Sequence, residues 1–421
     1  MDFQLTEEHL MIQEAARDFA RTELLPGVIE RDNTQTFPTE AIAKMGELGL
    51  MGMMVSPDYG GGGMDALSYT LAMEEISKVD ASAAVVMSVN NSLVCWGLET
   101  YGNEEQKQKY LTKLAAGEQI GAFCLSEPEA GSDATSQQTT AVDMGDHYVL
   151  NGNKNWITNG STASVYLVIA QTDPEKKSRG INCLIVEKGM KGFVVGNKED
   201  KLGIRGSDTH SLMFTDVKVP KENRIGKDGF GFSFAMKTLS GGRIGIASQA
   251  LGIASGALEL ASKYATERKT FGKVIAQHQA IAFKLADMAT EVEAARLLVH
   301  RAAWLKDQGL NYDKASSMAK LFASDVAMRA TVEAVQIHGG YGFVKEFHVE
   351  RLMRDAKITQ IYEGTSEIQC FSAVEHIAFV DKDQVHATLC LNDLYSLVNL
   401  HLHFVIHGRL QLLKFARTLL L

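Results

Sequence analysis

The sequence predicts an α+β multidomain chain with an N-terminal helical domain, a middle antiparallel β-barrel or sandwich, and a C-terminal helical bundle. Three observations carry that reading. Apolar residues recur at helical spacing through the first third, a period-two texture rich in β-branched residues begins near residue 122, and helical spacing returns after "GKDGFGF" at 226–232. A chain of 421 residues also exceeds what one simple core organises. The divisions fall at 1–121, 122–228 and 229–369, with 370–421 a tail of different character.

In the first domain Leu5, Ile12, Ala16 and Phe19 share one helical face. Thr6 followed by Glu7 and Glu8 makes an N-terminal cap, and Pro26-Gly27 closes that helix. "SPDYGGGGMD" (56–65) is a loop, because four successive glycines sustain neither helix nor strand. Further helices are expected at about 66–78, 82–100 and 103–116. In the middle domain "ASVYLVIAQ" (163–171), "GINCLIVE" (180–187) and "HSLMFTDVKV" (210–219) read as strands between Gly, Asp, Lys and Pro turns. No helix of useful length interrupts them, so βαβ units are excluded. In the third domain Ile281, Leu285, Met288, Val292, Ala295, Val299 and Ala302 form the buried stripe of a long helix. Met318, Phe322 and Val326 begin another, and helices so packed form a bundle.

Composition narrows the function. Hydrophobic residues are 45% and charged residues 22%, as in ordinary globular proteins. A net charge of −9 offers no basic field for nucleic acid, so an anionic ligand needs a local pocket. Cys95, Cys124, Cys183, Cys370 and Cys390 are scattered without a C-x-x-C pair, which fits free thiols in a reducing compartment. The start "MDFQLTEEHL" is acidic and has no apolar run, so no targeting segment is read and a cytoplasmic location is expected. The seventeen methionines read as core filling. Neither a dinucleotide fingerprint nor a P-loop stands in its required context, and there is no H-E-x-x-H, metal-spaced Cys/His cluster or G-x-S-x-G elbow. No metal is expected.

Five segments remain. "FCLSEPEAGSD" (123–133) opens the β block with small residues and hydroxyls that let backbone approach a flat ligand. "NKNWITNG" (153–160) sets Trp156 beside Thr158, an aromatic wall next to a hydroxyl. "ERKTFG" (267–272) puts Arg268 where a cation meets a phosphate, and "QIHGGYGF" (336–343) offers Gly339-Gly340 for backbone contact with a pyrophosphate. "QIYEGTSEIQ" (360–369) holds Glu363 between Tyr362 and Gly364. Alone, Glu363 reads as a solvated turn carboxylate, Trp156 as core, and His278 and His338 as packing or helix-surface histidines without an acid–base role. Arg268 alone reads as an ordinary helix-end charge.

In order and spacing these segments resemble the acyl-CoA dehydrogenase family, its short-chain (butyryl-type) members most, from about residue 2 to residue 369. The resemblance implies non-covalent FAD in a homotetramer of α–β–α subunits, an acyl-CoA substrate, and electrons passed to an electron-transfer flavoprotein. It implies flavin contacts from Phe123, Leu125, Ser126, Gly131, Ser132, Trp156, Ile157 and Thr158. Arg268, Thr270, Phe271, His278 and Gln279 would reach the pyrophosphate and adenine end across a subunit interface, as would Gln336, Gly339 and Gly340. Thr365 and Glu367 bind FAD again. Ser132, Ser240, Arg243, Tyr362 and Gly364 would contact the substrate, with Glu363 as catalytic base. The chemistry asks for such a set: no side chain accepts hydride, so a flavin must. A carboxylate becomes a useful base only when burial raises its pKa.

Three alternatives stay open at this level. Cys95 and Trp96 either fill the far end of the acyl tunnel or sit in the helical core. The acyl group is short, or branched or aromatic. The chain is an enzyme, or a catalytically silent homologue serving as an interaction protein. After Gln369 the family expects an Arg and a further apolar helix, whereas this chain reads "CFSAVEHIAFVDKDQVHATLC…", suggesting a frameshifted or fused C-terminus. Residues 394–408 carry no Asp, Glu, Lys or Arg yet are too few to span a membrane, which leaves an amphipathic surface tail as the rival reading.

Overall fold

The computed structural model describes residues 4–374. The chain divides into a unit Met1–Cys370 and a second, Phe371–Leu421, nearly all of which lies outside the described residues. The expectations for the tail beyond residue 374 fall there.

Helix α1 (Glu7–Phe19) starts as its sequence predicts. The Thr6 hydroxyl accepts from the His9 N–H at 3.2 Å, and the His9 ring caps the Thr6 N–H at 3.3 Å. Seven further helices complete the N-terminal layer: α2 (Val28–Thr34), α3 (Thr39–Glu47), α4 (Ala66–Val79), α5 (Ala81–Ser88), α6 (Trp96–Tyr101), α7 (Glu104–Gln106) and α8 (Thr112–Ala115). Between α5 and α6 the chain widens into π-helical turns over Val89–Cys95, all buried. Such turns recur where a helix is bent to serve a site.

Eight strands form one sheet: β1 (Gly121–Cys124), β2 (Thr140–Asp143), β3 (His147–Thr158), β4 (Val165–Gln171), β5 (Ile181–Glu187), β6 (Phe193–Lys198), β7 (Thr209–Pro220) and β8 (Arg224–Ile225). Their order is β6-β7-β3-β2-β4-β5-β8, with β1 beside β4. The sheet is not purely antiparallel as expected. β1 runs parallel to β4, and Thr140 of β2 pairs in parallel with Gln171. Residues 125–164 separate β1 from β4, more than enough chain for the crossover a parallel pair requires. β4 and β5 are buried almost throughout because the sheet lies against helix on one face and its own core on the other.

The third domain is built on α9 (Gly231–Glu267), which runs into a short hairpin, β9 (Lys269–Thr270) and β10 (Lys273–Val274). Then come α10 (Gln279–Asp307), α11 (Asp313–His338), α12 (His348–Ile358) and α13 (Ser366–Val374). α9 is apolar and long enough to cross a membrane by composition, but here its faces are taken up by α4, α10 and α11. Its small residues make this possible. A side chain at Gly252 would collide with the backbone carbonyl of Glu74 in α4, so the two helices approach at backbone distance. The predicted stripe of α10 is inward from Met288 to Ala302. On α11 the inward face is instead Ala315, Ala319, Ala323, Val326 and Ala330, and Met318 points outward. Alanine wins there because α9 lies too close for a larger side chain.

Candidate active site

Glu363 closes the turn between α12 and α13. Its backbone is left-handed, φ +53°, as is that of Gly364, φ +94°. A non-glycine residue there is strained by roughly 1–3 kcal/mol and persists only when its surroundings hold it. Two side chains do so. Lys320 Nζ donates to the Gly364 carbonyl at 2.6 Å, and Gln369 Nε2 donates to the carbonyls of both Glu363 (3.1 Å) and Gly364 (3.0 Å).

The turn delivers the Glu363 carboxyl onto α9 at Gly242. A Cβ on Gly242 would collide with Glu363 Oε2 and lie 2.7 Å from Leu93 Cδ2, so only glycine admits the carboxyl. Although Glu363 as a residue is half-buried, its Oε2 is enclosed and has no hydrogen-bond partner among the described residues. Burial pushes the carboxyl up to about 8, against the opposing pull of Lys320 and Arg243. The Glu363 N–H has no acceptor among the described residues. Further along α9, Gly245 faces Ser88 Oγ and the Tyr69 hydroxyl, which lie 3.3 Å apart, and the Tyr362 hydroxyl bonds Gln249 Oε1.

A second group gathers where β1 and β3 end together. The Asn155 N–H donates to the Ser126 carbonyl at 2.9 Å. A bulge between Lys154 and Ile157 breaks the register of β3 with β7 and throws Trp156 outward, at φ +58° and 56% exposed. Ser126 and Thr158 are half-buried beside it, and Gly131 and Ser132 are exposed on the following loop. Phe123 stacks on Phe234 of α9, eight residues before Gly242 and so about 12 Å from it along the helix. The predicted side chains of Leu125 and Ile157 do not face this surface. Both are buried in apolar clusters, because Leu125 follows an inward strand position and Ile157 is the residue the bulge returns to the interior. Only their backbone can meet a ligand.

A buried ion pair supports that surface. Lys154 Nζ meets Glu127 Oε1 at 2.6 Å, Gln137 Oε1 at 2.5 Å and the Leu125 carbonyl at 3.0 Å. Glu127 also accepts the N–H groups of Gln138 and Thr139, which with Lys154 hold its carboxyl below the usual range.

The third predicted group is remote. Arg268, Thr270, Phe271, His278 and Gln279 surround the β9–β10 hairpin, with Thr270 Oγ1 and His278 Nε2 3.2 Å apart. The Arg268 guanidinium lies 5.7 Å from the Tyr341 ring, which brings Gln336, Gly339 and Gly340 to the same end. Phe271 is 95% exposed. Twenty-six residues, about 39 Å of helix, separate Gly242 from Arg268, too far for one dinucleotide to touch both clusters of one chain.

Two predicted substrate contacts turn inward. Ser240 is buried with its hydroxyl on the Met236 carbonyl at 3.3 Å, and Arg243 turns inward to Ser317 Oγ at 3.0 Å, because both ride the inner face of α9. Trp96, left open between acyl tunnel and core, is half-buried, with Lys306 Nζ 5.7 Å from its ring. It packs edge-on against Tyr101 at 5.7 Å and lines a groove of ≈ 290 Å³ with Tyr101, Lys237, Asn311 and Tyr312. Tyr362 and Gly364 stay with the base. Thr365 caps α13 through the Ile368 N–H at 3.4 Å, and Glu367 is exposed.

The sequence reading missed Gly242, Lys320, Gln369, Gln249 and the Lys154–Glu127 pair. Lys320 left a trace, a lone lysine within the small buried stripe of α11. Gly242 stood in "SGGRIG" (240–245), read only for Ser240 and Arg243.

A helical layer, a sheet and a helical bundle that holds a carboxyl with one enclosed, unpartnered oxygen define an enzyme of α–β–α architecture. Residues 6–118, 122–217 and 229–378 match the N-terminal, middle and C-terminal domains of acyl-CoA dehydrogenases, and the chain belongs to that family. It is 53% identical over 369 residues to the short-chain specific acyl-CoA dehydrogenase of Clostridium acetobutylicum, covering 88% of this chain and 97% of that one. The structure of butyryl-CoA dehydrogenase from Megasphaera elsdenii superposes with a TM-score of 0.88 at 49% identity, over 89% of this chain and 99% of that one. A chain in the structure described as the electron transferring flavoprotein of Acidaminococcus fermentans gives a TM-score of 0.89 at 52% identity, over 90% and 100%. Family members are FAD-dependent oxidoreductases. The surface around Trp156, with one exposed indole, two hydroxyls and little side-chain bulk, fits a flat flavin.

Proposed function

We propose that this enzyme removes two hydrogens from a short-chain acyl-CoA to give the trans-2-enoyl-CoA, with Glu363 as base. The observation that carries the reading is the enclosed, unpartnered Glu363 carboxyl against Gly242. In its ionised form it takes the proton from the carbon beside the thioester carbonyl. A flavin bound at the Trp156 surface supplies the hydride acceptor for the next carbon. Ser126, Thr158 and the backbone at Leu125 and Ile157 would hold it. The Glu363 N–H, without an acceptor among the described residues, would be available as a donor to the oxygen where enolate charge develops.

The short acyl group rests on the short-chain specific relatives. Gln249, tied to the Tyr362 hydroxyl, lies seven residues beyond Gly242, about 10 Å along α9, and adds a polar pair on the same face of the helix. Lys237 and Asn311 in the neighbouring groove offer polar groups to the CoA arm. The likeness to a chain described with an electron-transferring flavoprotein supports such a protein as electron acceptor.

The remote Arg268 cluster supports an assembly in which each flavin is held by two copies, with a homotetramer as the expected form. α10 and α11 expose Phe283, Leu297, Trp304 and Val332, apolar area that a second copy would cover. The test is reduction of bound flavin by butyryl-CoA, compared with Glu363→Gln. The wild type should bleach and the variant keep its flavin but lose turnover. Undiminished turnover in Glu363→Gln overturns the assignment.

A further inference from the structure

Among the buried groups that the proposed reaction leaves without a role, Lys320 stands out. It projects from the middle of α11, its flanking residues Ser316, Ala319, Ala323 and Ser324 are all buried, and it is fully buried itself. It makes no ion pair within 4 Å among the described residues. A buried lysine is costly and is retained when its charge or its donors are used. Among the described residues the Nζ donates to one acceptor, the Gly364 carbonyl at 2.6 Å. That carbonyl belongs to the strained turn whose φ of +53° at Glu363 and +94° at Gly364 aims the carboxyl at Gly242.

We propose, resting on the reading of Glu363 as base, that Lys320 is a positioning residue: by holding the Gly364 carbonyl it fixes the Glu363 carboxyl and N–H in line with the substrate. Where it is protonated its charge also favours the ionised carboxyl, although burial pulls the ammonium itself down to about 8. Gln369 is the neutral half of the same clamp, since it grips both turn carbonyls but brings no charge. The charged and titratable groups around Lys320 are Glu363, Arg243 across on α9, Asp325 on its own helix and Glu367 at the start of α13; Tyr362 and Tyr69 face Glu363. Arg243 is the other cation acting on the carboxyl, so removing Lys320 weakens the field without abolishing it.

The experiment measures kcat, KM, flavin content and the pH profile of butyryl-CoA oxidation by wild-type, Lys320→Met and Lys320→Arg holoenzymes. Methionine matches the length without donor or charge. Lys320→Met should retain flavin and a KM within about threefold, while kcat falls roughly 10- to 100-fold, the range of a misplaced general base. Its profile should move to higher pH by about one unit, as loss of a nearby cation does to a carboxylate. Lys320→Arg keeps donor and charge, so its profile should stay at the wild-type position even where kcat is reduced. An unchanged kcat and profile in Lys320→Met overturns the proposal. So does a shifted profile in Lys320→Arg, which carries the test if the methionine variant does not yield holoenzyme. A wild type that oxidises butyryl-CoA and a dead Glu363→Gln, beside an unaltered Lys320→Met, would sink this inference alone.

Discussion

Glu363 carries opposite pH demands. Its carboxyl titrates near 8, above its ordinary 4.5, because burial disfavours the charge. Catalysis needs the ionised form, so kcat/KM should rise with pH through about 8 and level above it, measured with substrate below KM. Stability runs the other way. A carboxyl raised in the fold gives a contribution intact below pH 4.5 that erodes as pH climbs toward 8. An activity limb centred near 4.5 would show that the free carboxyl is solvated. Gly242 makes the complementary prediction. Gly242→Ala places a methyl where Oε2 sits, so kcat should fall by at least about 100-fold, as when a general base is displaced. The methyl also crowds Leu93 Cδ2 at 2.7 Å. Overpacking of about 1–3 kcal/mol is set against a helix gain of roughly 0.5–1 kcal/mol. A thermal melt should therefore show a modest loss with flavin retained, too small to account for the fall in kcat. Such roles were only partly legible in the sequence. Glu363 could be named because its motif is local. What makes it a base is non-local: Gly242 lies 121 positions earlier and Lys320 lies 43 earlier, and no spacing rule links them.

Among elements, β3 shows how a strand becomes a site. Period-two patterning would have placed Trp156 and Lys154 on one face; the bulge puts Trp156 into the open and leaves Lys154 buried with Glu127. The sequence marked this stretch by its Trp and Thr but gave no sign of the bulge, since irregular pairing depends on the partner strand. The lysine is decisive for the loop that follows β1, because Glu127, Gln137 and the Leu125 carbonyl all converge on it. Lys154→Met would strand the Glu127 charge in the interior and should cost about 3–5 kcal/mol, the penalty of breaking a buried pair. The expected readout is a lowered melting temperature together with weakened flavin retention, because the loop carrying Ser126 and Ser132 loses its anchor. Replacing both partners, Lys154→Met with Glu127→Leu, should recover much of the stability. Failure of the double variant to recover would mean that the N–H groups of Gln138 and Thr139, not the lysine, are what Glu127 serves.

For the molecule as a whole, the length of α9 sets the terms. One helix bears the base site near Gly242 and ends at Arg268, about 39 Å away, so the two clusters of one chain cannot serve one flavin. The α–β–α order was readable because each domain has its own period. Whether copies meet was not, because an exposed apolar residue such as Val332 or Trp304 looks in sequence like any core residue. Yet the hairpin leaves Phe271 almost wholly in solvent, and α10 and α11 expose Trp304 at 46% and Val332 at 46%, an arrangement that is wasteful for a lone subunit. If copies share each flavin, assembly and flavin content are coupled by mass action. Trp304→Asp with Val332→Asp touches neither Glu363 nor the Trp156 surface, so it should lower the mass seen by light scattering and release flavin in the same titration. Smaller particles that keep stoichiometric flavin would show that one chain holds its cofactor alone, and the Arg268 cluster would then need another ligand.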